Sequence, residues 1–139
     1  MKRTTVLLAL AAAIAMTIPA FAQDRDMTAR RQEIFQKGKQ ETVQGKVIAV
    51  RAFPRHRRFS RIVAIVKTDD GRVPVVLGPW WYLRYNRFRV RPDDKLVVDG
   101  SLLNFRHHRV LIAEKVRRDD AVLNLRDNTG KPLWPQRAS

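Results

Sequence analysis

The 139-residue sequence contains no cysteine. Without a thiol there is no disulfide, no lipid-modified cysteine anchor, no covalently attached c-type haem and no thiol nucleophile, so stability has to come from an apolar core. Histidine is scarce too, with only His56, His107 and His108. No glycine-rich phosphate loop, metalloprotease motif or nucleophile with a plausible base occurs, and the sequence reads as that of a non-enzyme with no cofactor. Beyond residue 22 no apolar run reaches the roughly 20 residues that a membrane-crossing helix requires.

The longest apolar run stands at the start and falls short of that length. Met1, Lys2 and Arg3 give a positive opening, Val6 to Ile18 are almost wholly apolar, and Ala20-Phe21-Ala22 is a small-x-small cleavage site. This is the pattern of a removable signal peptide over residues 1–22, which predicts a periplasmic or secreted protein. The run is broken by Thr17 and Pro19, too early for a retained span. Cleavage would leave 117 of the 139 residues, enough for one domain with tails.

Charge is strongly one-sided. The chain has 28 Lys and Arg against 13 Asp and Glu, for a formal charge of +15, or +13 once Lys2 and Arg3 are removed. Most of the basic residues are arginine, whose forked guanidinium suits phosphate and carboxylate better than a lysine ammonium does. An anionic ligand or an acidic protein surface is the expected partner; the alternative is a structural or interaction subunit of a cell-envelope complex, with an envelope protein as partner, recruited through the leader and the terminal hairpin. Nucleic acid fits the charge as well, but an exported protein meets it less often than it meets anionic envelope components.

Residues 23–40 are polar and rich in Arg, Lys, Gln and Asp, a leader that is either mobile or a short helix. From Glu41 the pattern changes to short Val- and Ile-rich runs between turn residues, which predicts an all-β barrel or sandwich. Strands are expected over Thr42–Ala52, Arg61–Thr68, Arg72–Leu77, Lys95–Leu103 and Val110–Val116. Gly45 is placed where a bent strand needs a residue without Cβ, and Gly100 marks a bulge. Gly78-Pro79 halts the third strand, and Trp80 to Tyr85 lack β alternation, so a short helix follows. Three strands, a helix and two strands is the order of a five-stranded OB-fold-like barrel. The barrel is assigned to 41–118, and 119–139 to a C-terminal hairpin and tail in which Trp134 packs back on the barrel. The Asp69-Asp70, Asp93-Asp94 and Asp119-Asp120 pairs read as turns.

Several stretches resemble a known class. These are Val75-Val76-Leu77-Gly78-Pro79-Trp80-Trp81-Tyr82-Leu83, Arg91-Pro92-Asp93-Asp94-Lys95-Leu96-Val97-Val98-Asp99-Gly100-Ser101, Leu111-Ile112-Ala113-Glu114 and Leu125 to Trp134. Together, over Glu41 to Trp134, they resemble small exported bacterial OB-fold-like domains, similar in plan to the periplasmic bacterial OB-fold family of short stress-associated proteins. The resemblance implies a binding function and transfers no catalytic residue. The arginine and histidine density between Arg51 and Arg61 departs from that pattern.

In an OB-fold the ligand lies near strands two and three, flanked by the loops joining strands one to two and four to five. Here the first loop offers Arg51, Phe53, Arg55, His56, Arg57, Arg58, Phe59 and Arg61, and the second Arg106, His107, His108 and Arg109 beside Phe105. Both are expected to rim one mouth. Arginines interleaved with rings suit polyanions, single-stranded nucleic acid included. In the alternative, the two phenylalanines close the barrel and the arginines are only solvated. His56, His107 and His108 would fall at the same end and are candidate metal ligands, although neighbours on a strand point to opposite faces. Trp80 and Tyr82 could stack on a ligand, or the aromatic cluster could simply plug the barrel.

Overall fold

The computed structural model describes residues 20–54 and 60–135, with side chains from Thr28 onward. An N-terminal helix α1 (Ala20–Lys37) precedes strands β1 (Lys39–Phe53), β2 (Arg61–Thr68) and β3 (Gly71–Pro79), a short helix α2 (Trp80–Tyr85), and strands β4 (Lys95–Phe105), β5 (His108–Arg118) and β6 (Ala121–Asn124). Alternation in the sequence becomes alternation of burial. Ile62, Ala64 and Val66 of β2, and Val73, Val75 and Leu77 of β3, are buried, while the residues between them face outward. The interior is completed by Val47, Leu96, Val98, Leu111, Ala113 and Val116.

β1 is shared between two neighbours. Its first half pairs antiparallel with β4 and its second half with β2, and Lys46 has partners in both. At that crossing a Cβ on Gly45 would stand 2.2 Å from the Lys67 carbonyl oxygen, so only glycine admits the approach. β2 pairs with β3 and β4 with β5, and parallel pairing of Val75 and Val76 with Leu111 and Ile112 closes the sheet into a five-stranded barrel. The all-β barrel with a helix between β3 and β4 is the expected fold class. The register shift between Asp99 and Gly100 is the expected bulge.

Beyond Val76 and Ile112 the parallel pair parts. Arg126 fills the gap, its Nη1 donating to the carbonyls of Leu77 at 2.9 Å and Ala113 at 2.6 Å. Trp134 stacks 5.0 Å above that guanidinium and lies against Gly78, so the tryptophan does pack back on the barrel.

The C-terminal hairpin differs from expectation. The turn at Asp119-Asp120 folds β6 back on β5, with Asp119 at φ 51°, and residues 125–134 form a loop with one bridge between Arg126 and Pro132. The pairing partner of β6 is the strand before it, because a two-residue turn is the shorter connection. Asp127 organises that loop: its Oδ1 accepts from the Thr129 and Lys131 amides and the Thr129 hydroxyl. These bonds, the hydroxyl one foremost, hold its carboxyl below the usual aspartate value.

The polar leader is helical. Phe35 is its buried anchor, set against Gly130 while the Ser101 hydroxyl donates to the Phe35 carbonyl at 2.5 Å. No helix among the described residues is long and apolar enough to cross a membrane.

Candidate functional site

Pro79 ends β3 and α2 begins at once, tied to the base of the β1–β2 loop by a bond from the Trp80 amide to the Ser60 carbonyl at 2.8 Å. Ser60 is buried and its hydroxyl donates to the Pro54 carbonyl, which joins the two ends of that loop. After α2 the backbone turns through a left-handed Arg87, φ 55°, and the chain returns as Phe88-Arg89-Val90-Arg91. Leu83 and Phe88 are buried and close this end of the barrel. The expected aromatic plug is therefore a leucine and a phenylalanine, while Trp81 and Tyr82 are half-buried and Tyr85 is exposed. Six residues of helix give Trp81 and Tyr85 no second layer to pack beneath.

Beside this plug lies a pocket of about 690 Å³. Val50, Ile62, Leu83, Phe88 and Val90 line it with apolar surface, and Trp80, Arg84, Arg87, Arg89 and Arg91 complete its wall. Trp80 is 42% exposed, and the Arg84 guanidinium sits 5.0 Å over its ring. The described ion pairs join Lys37 to Glu33, Lys39 to Glu41, Lys46 to Asp93 and Arg118 to Asp94, and none uses a wall arginine. Four cations around a low-dielectric floor focus a positive potential into the opening. Such an arrangement accepts a carboxylate or phosphate that carries apolar surface with it.

The expected loop residues divide between the two ends of β3. Arg51 and Phe53 are exposed at the end of β1, and Arg61 opposes both Phe53 and Pro79, so the described ends of this loop border the pocket. Arg55, His56, Arg57, Arg58 and Phe59 lie outside the described residues. Phe105, Arg106, His107 and His108 are exposed at the other end of β3, where Arg109 Nη2 donates to the Asp70 carbonyl at 2.9 Å. The shared mouth expected for the two loops is thus not seen in their described parts. Parallel pairing sets the start of β5 beside the start of β3, whereas antiparallel pairing sets the β1–β2 loop at the end of β3. His107 and His108 are separated in the same way from both anchors of the loop that carries His56. Among the described residues no three His, Asp or Glu side chains converge as metal ligands.

Of the two candidate stacking residues, Trp80 stands at the pocket and Tyr82 is used structurally. The Tyr82 hydroxyl donates to the Asn124 carbonyl at 3.2 Å and its ring packs on Trp134 and Trp81. Arg84, Arg87, Arg89 and Arg91 were not foreseen. For Arg87, Arg89 and Arg91 the signal was present as the alternation Arg87-Phe88-Arg89-Val90-Arg91, apolar inward and cationic outward, in a segment to which the sequence assigned no element.

Comparison with known families gives one assignment. The model described as the MamS/MamX magnetosome protein family matches residues 39–123, from the start of β1 into β6, which takes in the barrel and every residue of the pocket. No curated protein matches the sequence. The match spans more than half of the chain, and the chain belongs to that family.

Proposed function

We propose that this member of the MamS/MamX magnetosome protein family is an exported, non-enzymatic interaction module that seats an acidic partner surface in the arginine-walled pocket beside α2. The reading rests on one observation: an apolar floor ringed by Arg84, Arg87, Arg89 and Arg91, none of them in a described ion pair. The family name adds the context of the magnetosome, and on this reading the partner is another protein of that assembly. The closed barrel puts this pocket next to the described ends of the β1–β2 connection, where Arg51 and Arg61 add exposed positive charge. Removal of residues 1–22 leaves the whole barrel intact and delivers it outside the cytoplasm.

Binding by this surface has a defined signature. Exposed arginine–carboxylate pairs contribute about 0.2–1 kcal/mol each, so four of them supply about 1–4 kcal/mol and weaken as salt rises. A peptide of alternating Glu and Leu, titrated while Trp80 fluorescence is followed, is the probe, with a Lys and Leu peptide as control. The acidic peptide is expected to bind in low salt, release in high salt, and bind poorly to the variant carrying Arg84→Gln, Arg87→Gln, Arg89→Gln and Arg91→Gln. Binding indifferent to salt and to those four substitutions contradicts the proposal.

A further inference from the structure

Beyond Val47 the seam between β1 and the chain that enters β4 comes apart. Val47 makes the last main-chain bonds across it, its amide donating to the Asp94 carbonyl at 2.8 Å and its carbonyl accepting from the Asp93 amide at 2.7 Å. Strand pairing with β4 ends at Lys46 opposite Lys95, yet β1 runs on to Phe53. From Ala49 to Phe53 it keeps β2 on one edge, and no described strand lies along the other. The arginine-walled pocket occupies this opening, with Val50 lining it from β1 and Arg87 to Arg91 lining it from the opposite wall.

Strand alternation says which groups face that opening. Residues that share a face of a strand also share the edge to which their N–H and C=O point. Val47 is buried and turns its main chain toward the β4 side. The register shift between Val47 and Ala49 moves the inward face on by one residue, to Val50 and Ala52, which oppose the interior residues Ala64 and Ile62. The N–H and C=O groups of Val50 and Ala52 therefore point away from β2 and into the gap. On the opposite wall the Phe88 amide is spent on the Leu83 carbonyl and the Arg91 amide on the Asp94 carboxylate, and residues 88–91 form no strand that could pair with β1.

We propose that the acidic partner enters this pocket as an extended segment that adds to the unpaired edge of β1, antiparallel to it, in the lane that β4 vacates. The inference rests on the pocket reading above and adds the main-chain form of the partner. A row of unpaired N–H and C=O groups is a template for one more strand, and edge addition takes affinity from main-chain bonds and selectivity from side-chain pockets. From Val50 to Phe53 the edge is about 13 Å long at the ordinary strand rise, enough for a segment of about four residues. Its inward side chains would rest on Val50, Ile62, Leu83, Phe88 and Val90, and its outward ones would stand between the exposed Arg51 and the exposed Arg89 and Arg91. The acids at the closed end of the seam, Asp93 and Asp94, are already paired with Lys46 and Arg118, so the charge that suits the opening is negative. An alternation of apolar and acidic residues meets both walls with the period of a strand. A helix spends its amides internally and would leave the edge of β1 unpaired.

The test titrates the purified full chain with the Glu and Leu peptide and with two forms of it, one N-methylated at the leucine amides and one at the glutamate amides. Across an antiparallel seam the inward residues of both strands turn their main chains toward each other, so the leucine amides are the donors to β1. Methylating them is expected to weaken binding about tenfold or more, whereas methylating the glutamate amides weakens it only slightly. Amide exchange gives a second reading: Val50 and Ala52 are expected to slow on binding, while Ala49 and Arg51, already turned to β2, stay unchanged. Salt-dependent binding that methylation of the leucine amides leaves intact overturns strand addition and leaves the pocket reading standing. Tighter binding by a peptide of the same composition with leucine at helical spacing overturns it in favour of a helix. Absence of binding by any of these peptides overturns both.

Discussion

Replacing Gly130 by alanine would strike the contact that holds α1 on the barrel. Gly130 has φ 90°, and a Cβ there would stand 2.5 Å from Phe35 Cγ and 2.7 Å from its Cβ and Cδ1. The backbone conformation alone costs a residue with a Cβ about 1–2 kcal/mol. The clash has to be relieved by moving Phe35, which is 3% exposed, and its expulsion forfeits about 1.5–3 kcal/mol of burial. Release of α1 also breaks the bond from Ser101 to the Phe35 carbonyl, about 1 kcal/mol more. Releasing a helix that touches the barrel along one face is easier than opening a closed sheet, so the expected outcome is an undocked α1 over an intact barrel. Gly130→Ala should therefore lower stability by about 3.5–6 kcal/mol, with loss of amide protection over residues 33–37 and retention in β2 and β3. Phe35→Ala removes two of the three close contacts, so the two changes together should cost less than their sum by about 1–2 kcal/mol. Stability within about 0.5 kcal/mol of the parent, with α1 still protected, would refute this reasoning.

Leu77→Ala, at a fully buried position where β3 parts from β5, should cost about 2–5 kcal/mol in urea unfolding. Gly45→Ala drives a Cβ into the Lys67 carbonyl at the β1 crossing, and an expected loss of about 2–4 kcal/mol would be read as a lower melting temperature. The Asp127 carboxyl, lowered in the fold from 3.8, contributes stability that is complete above that value and is lost as pH falls through the lower folded value. Carboxyl titration by NMR should show Asp127 protonating later than a free aspartate, and Thr129→Ala should move it back toward 3.8.

The barrel was legible because its signals are local. β2 has the expected bounds and α2 falls in the segment expected to hold a short helix, since Asp69-Asp70-Gly71 and Gly78-Pro79 are turn and stop signals whose geometry admits few alternatives. The other strands run one to three residues beyond expectation at their ends, where pairing with a neighbour extends what the pattern alone defines. The placement of the two basic loops was not legible, because it depends on a parallel pairing between Val75 and Leu111 that no local pattern announces. Arg126 was invisible for a related reason. Nothing in Leu125-Arg126-Asp127 says that its side chain will be spent on two backbone carbonyls from strands far away in sequence. Of the wall arginines, by contrast, Arg87, Arg89 and Arg91 could have been found from their alternation alone.

The central claim is that an acidic partner lands in the pocket beside α2. Chemical-shift mapping tests it most directly, with the Glu and Leu peptide titrated into isotopically labelled protein at low salt. The amides of residues 84–91 and the Trp80 indole are expected to shift together and to saturate, while residues 105–109 at the far end of β3 stay still. Shifts confined to 105–109, or spread without saturation over every basic residue, would contradict it.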